Sequence, residues 1–248
     1  MSQPFNPVER LGDGNGPLVL TCEHASNRVP GPLTLDPRDA PWLQTHWGWD
    51  IGAADLTRAL ARRTGADAVL SNFSRLVCDP NRSPSDPTWI RPEVEGHRLA
   101  LNHQLDGAER DRRRLELHEP YHAAVDELLR VHQRTTSSDF LLLSVHSFTR
   151  SYLGQQRKLQ AGVLFDDHPT LALALMNALR LQALDTRLNE PYSGMQGMIH
   201  AVSLHGHAHK VRYLELEVRN DLIDTPAKAD GVAEALARAL SQIRLGRA

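Results

Sequence analysis

The chain has 248 residues, with 28 Lys and Arg against 30 Asp and Glu, for a formal net charge of −2. That near balance argues against a nucleic-acid binder, which would be clearly basic, and no apolar run approaches the ~20 residues that a membrane-spanning helix needs. A chain of this length buries roughly 70–75% of the surface it exposes when unfolded, so its core needs neither a disulfide nor a structural metal.

Residues 1–16 are polar and rich in Gly and Pro, and they read as a loose lead-in. The opening Met1-Ser-Gln-Pro-Phe-Asn6 lacks the basic start and apolar core of a signal peptide, so a cytoplasmic protein is expected. Residues 17–23 read as the first strand, and Pro30, Pro32, Pro37 and Pro41 mark the loop after it. From Asp50 to Arg63 an apolar stripe of Ile51, Ala54, Leu56, Ala59 and Leu60 predicts a helix. Residues 66–69 and 74–79 read as extended. The four prolines in 80–98 mark a long loop of a kind that usually serves a site. A charged helix is expected over 106–134, broken near Pro120. Strands follow over 140–145 and 162–165, then a helix over 169–180. Residues 188–209, with Pro191, Gly194, Gly197 and Gly206, read as irregular. A strand over 214–218 and an Ala/Leu-rich helix over 228–245 close the chain. Strands alternating with helices predict one α/β domain across 1–248 with a mixed, largely parallel sheet. Cys22 and Cys78 lie in apolar runs and read as buried free thiols; a disulfide would require their strands to be neighbours.

Two strings carry most of the chemistry. Leu18-Val-Leu-Thr-Cys-Glu-His24 and Leu141-Leu-Leu-Ser-Val-His146 are apolar runs of strand length that stop at a histidine. In open parallel sheets, ligands bind at the carboxyl ends of the strands, so two histidines delivered there are placed to share one metal ion. Zinc hydrolases commonly use three protein ligands and leave a position for water. The third ligand stays open between Glu23, which would point to the opposite face if the strand continued, and Asp50, which could equally be a helix N-cap. Glu215 and Glu217 alternate along one strand and share a face, so either could serve as general base. In Ser74-Arg75-Leu-Val-Cys-Asp79-Pro-Asn81-Arg82, the asparagine and two arginines could fork onto a carboxylate, or the group could be a surface ion-pair cluster. His205-Gly-His207-Ala-His209 tempts as a metal site, but it is Gly-interrupted and reads as a loop. The run Arg110-Asp-Arg112-Arg-Arg114 reads as a solvated face.

Taken in order, Cys22-Glu-His24-Ala-Ser-Asn27-Arg-Val-Pro30, Asp50-Ile-Gly-Ala53, Ser74 to Arg82, Tyr121-His122, Val145-His146-Ser-Phe148 and Glu217-Val-Arg219-Asn-Asp221 resemble the N-formylglutamate amidohydrolase family. The likeness runs from about residue 18 to residue 224. It implies a zinc-carboxypeptidase-like three-layer α/β/α fold and metal-dependent cleavage of an amide that carries an acidic group. Carboxypeptidases carry a catalytic Glu in a string similar to Glu217-Val-Arg219-Asn, which favours Glu217 over Glu215 as base. Aspartoacylase-like enzymes grip a carboxylate with a string similar to Asp79-Pro-Asn81-Arg82. Those relatives supply a metal-binding Glu three residues after the first His, where this chain has Asn27, so Asp50 is the favoured substitute.

The expected site is therefore one divalent ion, Zn2+, on His24, Asp50 and His146, with Glu217 and Arg75 catalytic and Asn81, Arg82, Arg219 and Asn27 on the substrate side. The expected partner is a small molecule with a free carboxylate, not a nucleic acid or a membrane, and oligomeric state is left open. The rival expectation is a protein that keeps the fold and the acidic-ligand pocket without the metal.

Overall fold

The computed structural model describes residues 5–12, 18–135 and 140–243. Seven strands form one sheet: β1 (Val8–Leu11), β2 (Leu18–Cys22), β3 (Asp67–Ser71), β4 (Leu141–Phe148), β5 (Ala161–Leu164), β6 (Thr186–Leu188) and β7 (Arg212–Arg219). Their spatial order is β1-β3-β2-β4-β7-β5-β6. The contiguous strands β3, β2, β4 and β7 pair in parallel, β5 and β6 pair in parallel, and the β1–β3 and β5–β7 pairs are antiparallel. The sheet is mixed and mostly parallel, as expected.

Helices cover both faces. On one lie α1 (Ala53–Thr64), α3 (Pro169–Leu181) and α5 (Pro226–Gln242), packed on Leu18, Leu20, Leu141, Leu143, Leu214 and Leu216. On the other lie α2 (Glu119–Thr135) and α4 (His200–His209), packed on Val19, Val69, Leu142 and Tyr213. Buried on both faces, β2, β3 and β4 read as near-continuous apolar runs, and each fully buried Leu contributes roughly 1.5–3 kcal/mol. Cys22 lies in the first core, where burial pushes its thiol up to about 12, and Cys78 lies in a loop core beside Phe73 and Trp89. Both are free thiols.

Five expectations change. The lead-in contains edge strand β1, which had no signal beyond four residues; the rest of the lead-in lies partly outside the described residues. Residues 74–79 are turns, because the Val77 amide donates to the Ser74 carbonyl and Arg75 folds back onto Asp79. There is no break at Pro120: the chain runs from a short helix (Gly107–Arg113) through a π-helical turn (Arg114–His118) into α2. Pro120 sits in the first turn of α2, where its missing N–H matters least. Within the run taken for a solvated face, Arg113 is fully buried. It donates to Glu109, to the Val77 and Leu101 carbonyls and to Asn102 Oδ1, pinning the proline-rich loop.

The fifth change matters most for function. Residues 200–209 form a helix, not a loop. Gly206 explains both the misreading and the helix: a Cβ there would meet the Tyr213 ring at 2.0 Å, so only glycine lets α4 lie this close to β7. Among the described residues no helix is long and apolar enough to cross a membrane.

Candidate active site

The carboxyl ends of β2, β4 and β7 open into a cavity of about 250 Å³. Side-chain alternation supplies its floor. Leu143, Val145, Leu214, Leu216 and Val218 point to the α1 face, which sends Ser144, His146, Glu215 and Glu217 to the other face. The parallel register then sets Glu217 beside His146 and Glu215 beside Ser144. His24 sits in the turn that follows β2.

Asp50 joins them from the segment before α1, tied by its amide to the His24 carbonyl at 3.0 Å. The N-cap reading of Asp50 does not hold, because Gly52 occupies that position with φ +83°. A Cβ on Gly52 would meet the Ile223 carbonyl oxygen at 2.1 Å, so the turn that presents Asp50 requires glycine.

Asp50 Oδ2 lies 2.8 Å from His146 Nδ1 and 3.4 Å from His24 Nδ1. All three residues are buried. Each imidazole is held from behind by a carboxylate: His24 Nε2 is 2.7 Å from Asp79 Oδ1, and His146 Nε2 is 2.9 Å from Glu23 Oε2. Carboxylates only accept and each ring has one at either nitrogen, so a neutral imidazole protonated on Nε2 toward Asp79 or Glu23 would turn its Nδ1 lone pair toward the shared Asp50 oxygen. Three donor atoms thus converge within 4.8 Å of one another, which suits a cation. Burial alone would raise the Asp50 carboxyl, but the two imidazoles outweigh it and hold it below the usual range. Burial would likewise lower His146, yet Glu215, Asp50 and Glu23 push it well above its ordinary value. The site favours positive charge strongly.

Glu23, the other candidate ligand, is fully engaged elsewhere. It projects to the α2 face, as strand alternation requires, and accepts from Tyr121 Oη (2.8 Å), Ser144 Oγ (2.5 Å) and His146. Those bonds outweigh the cost of its burial and hold it at about 2. It orients His146, as carboxylates behind metal-bound histidines commonly do.

Glu215 and Glu217 both line the cavity, and each has a buried Oε2 without a hydrogen-bond partner among the described residues. Burial pushes both carboxyls up, Glu217 well above the ordinary range. Glu215 Oε2 lies 3.6 Å from His146 Nε2, behind the imidazole. Glu217 is placed farther along the strand, toward the open end.

The opposite wall is cationic. Arg75 donates to Asp79 Oδ2 at 2.7 Å, with Nη1 3.7 Å from Asp50 Oδ1. Arg82 reaches Asp86 at 3.3 Å, and its Nε has no hydrogen-bond partner among the described residues. Asp79 therefore belongs to a buried network with His24 and Arg75 rather than to a surface ion-pair cluster. Asn81 lines the cavity while its Oδ1 accepts from the Ala201 amide at 2.8 Å, capping α4.

Two expected substrate-side residues are not brought to this cavity. Arg219 turns to Asp221 (2.7 Å) and to the 157–159 carbonyls, and Asn27 donates to Gln44 on the surface. Arg219 ends β7 on the same face as Glu217, and its bonds to Asp221 and the 157–159 carbonyls, not strand alternation, hold it off the cavity.

Arg91 and the aromatic wall of Trp47, Phe148 and Tyr192 were not singled out in the sequence. Arg91 stacks on Trp47 at 5.2 Å, and its guanidinium is destabilised by burial and by the charges of Arg75 and Arg82. Its signal was slight: one arginine in a proline-rich stretch too long to be idle.

The family model for N-formylglutamate amidohydrolase matches residues 16–224. The chain belongs to that family. A gene product from Agrobacterium tumefaciens has a similar structure, with 32% sequence identity, a TM-score of 0.85 and coverage of 96% of each chain. N-formylglutamate amidohydrolase from Ralstonia eutropha JMP134 shares the fold at 21% identity and a TM-score of 0.67, over 94% of this chain and 95% of that one. No curated protein sequence matches. The chain is accordingly an amidohydrolase of this family, and the fold expectation holds.

Proposed function

We propose that this amidohydrolase cleaves N-formyl-L-glutamate, or a close N-acyl amino acid with a free carboxylate, using one divalent ion, zinc, held by His24, His146 and Asp50. The observation that carries this reading is the convergence of His24 Nδ1, His146 Nδ1 and Asp50 Oδ2, facing a wall of guanidiniums. The donor set fits zinc, which takes imidazole and carboxylate ligands and leaves a position open in hydrolases. An ion there would polarise the carbonyl and lower the pKa of water toward ~7.

The chain's own groups account for the remaining chemistry. Glu217 takes a proton from the water that attacks the acyl carbon and delivers it to the amide nitrogen as the C–N bond breaks, leaving a carboxylate and a free amine. Burial makes Glu217 a stronger base than a surface glutamate. Arg75 reaches the developing oxyanion. Arg82 and Arg91 supply planar donors for the substrate carboxylate, in a cluster where positive charge exceeds what Asp79 and Asp86 offset. Asn81 fixes the segment that carries Arg82. Trp47, Phe148 and Tyr192 shield the bond being broken from bulk water.

Incubation of the purified protein with N-formyl-L-glutamate should release formate. Chelation should abolish this, and zinc should restore it. Arg91→Ala should raise KM at least tenfold and narrow the preference for the acid over its neutral amide, since an unpaired buried charge costs more than ~1.4 kcal/mol. Equal kcat/KM for acid and amide in the wild type would refute the carboxylate clamp. Failure of zinc to restore the chelated protein would favour the metal-free binding protein instead.

A further inference from the structure

Outside the cleft, α2 and α4 bring a second cluster together. His205 and His209, one helical turn apart, share a face of α4. Asp126 on α2 faces both, its Oδ1 2.9 Å from His205 Nδ1 and 2.8 Å from His209 Nε2. The three atoms lie within 4.8 Å of one another. Two imidazole nitrogens on one carboxylate oxygen is the arrangement found around Asp50.

The hydrogen bonds behind His205 limit what can lie in front of it. His122 Nε2 is 3.1 Å from the Pro80 carbonyl, which only accepts, so this nitrogen carries a proton. In a neutral ring that proton leaves Nδ1 as an acceptor, facing the stacked His205 ring. That Nδ1 lies 2.8 Å from His205 Nε2, so His205 must donate there. A neutral His205 then turns a bare Nδ1 lone pair toward Asp126 Oδ1. An Asp126 carboxylate can only accept, and its Oδ1 faces both rings. Two acceptors at 2.9 Å require a cation in contact with both, either a proton on His205 or a metal ion.

We propose that Asp126, His205 and His209 form a second divalent-cation site, separate from the one in the cleft. Its ligands suit zinc. The histidines are nearly buried, but Asp126 is about a third exposed, which leaves a side for water to complete the coordination. An ion there would clamp α4 to α2 and, through His205, His122 and the Pro80 carbonyl, brace the segment that carries Asp79, Asn81 and Arg82. Its role is structural.

The test loads chelator-stripped protein with zinc, dialyses away the excess and measures zinc per chain by mass spectrometry. Wild type should retain about two ions, and Asp126→Asn and His24→Ala about one each. Anomalous diffraction at the zinc edge should show a peak about 2.0–2.1 Å from His205 Nδ1 and His209 Nε2. Wild-type crystals without that peak, or an Asp126→Asn protein with its zinc undiminished, would overturn the proposal and leave His205 as an imidazolium paired with Asp126. Zinc lost in Asp126→Asn but kept in His24→Ala would support this site while refuting the cleft metal. Should Asp126→Asn fail to fold, the wild-type anomalous map decides alone.

Discussion

At the scale of the residue, the two carboxyls of β7 show how position divides labour. Glu215 lies behind His146, in the row that includes Glu23 and Ser144, whereas Glu217 stands one pleat nearer the open end. A general base contributes typically 10²–10⁴-fold, and Glu217 Oε2 has no hydrogen-bond partner among the described residues. Glu217→Gln should therefore lower kcat by about 10²–10⁴-fold with zinc content unchanged, measured as formate release and metal per chain. Unchanged kcat would move the role to Glu215, and lost zinc would make Glu217 a ligand. Residue types alone located His24 and His146, because an apolar strand run that ends in histidine needs no tertiary information to be noticed. The third donor was not legible in this way. Choosing Asp50 over Glu23 needs the bonds that occupy Glu23, and those come from residues 121, 144 and 146.

At the scale of the element, edge strand β1 shows what a short segment relies on. Among the described residues it pairs with β3 alone, and Glu9 adds a bidentate ion pair to Arg58 of α1, at 2.7 and 2.8 Å. Both groups are partly exposed, so the pair is worth only about 0.2–1 kcal/mol. The bond to Arg58 lowers the Glu9 pKa against a smaller effect of burial. A depressed carboxylate stabilises the fold above its unfolded value of ~4.3, and that contribution disappears as pH falls through the folded value. Glu9→Gln should therefore cost about 0.2–1 kcal/mol in urea unfolding at pH 7, with the gap to wild type closing at lower pH. A gap that persists undiminished at pH 3 would mean packing, not charge, holds β1. The helix α4 was illegible for a related reason: with histidines at four of its ten positions and Gly206 in its buried stripe, its amphipathic pattern is weak, and only the Tyr213 ring beside it explains the glycine.

At the scale of the whole molecule, the alternation of strands and helices was enough to predict an α/β sheet, whereas the spatial order of strands and the antiparallel placements of β1 and β5 depend on long-range pairing that no local pattern records. The arginine wall is long-range in the same sense, since Arg75, Arg82 and Arg91 meet only because the proline-rich loop is folded over Arg113. Asn81 carries a consequence of that folding. Its side chain lines the cavity at one end and satisfies the Ala201 amide at the other, so the cleft wall and the first turn of α4 share one hydrogen bond. Amides at frayed helix ends exchange with solvent through local opening, not global unfolding. A dicarboxylate ligand that immobilises residues 79–82 should therefore slow deuterium uptake in the first turn of α4, well away from the acyl group, while uptake at the far end of α5 stays unchanged. The helix would report, as an isotope clock, on whether the cleft is filled.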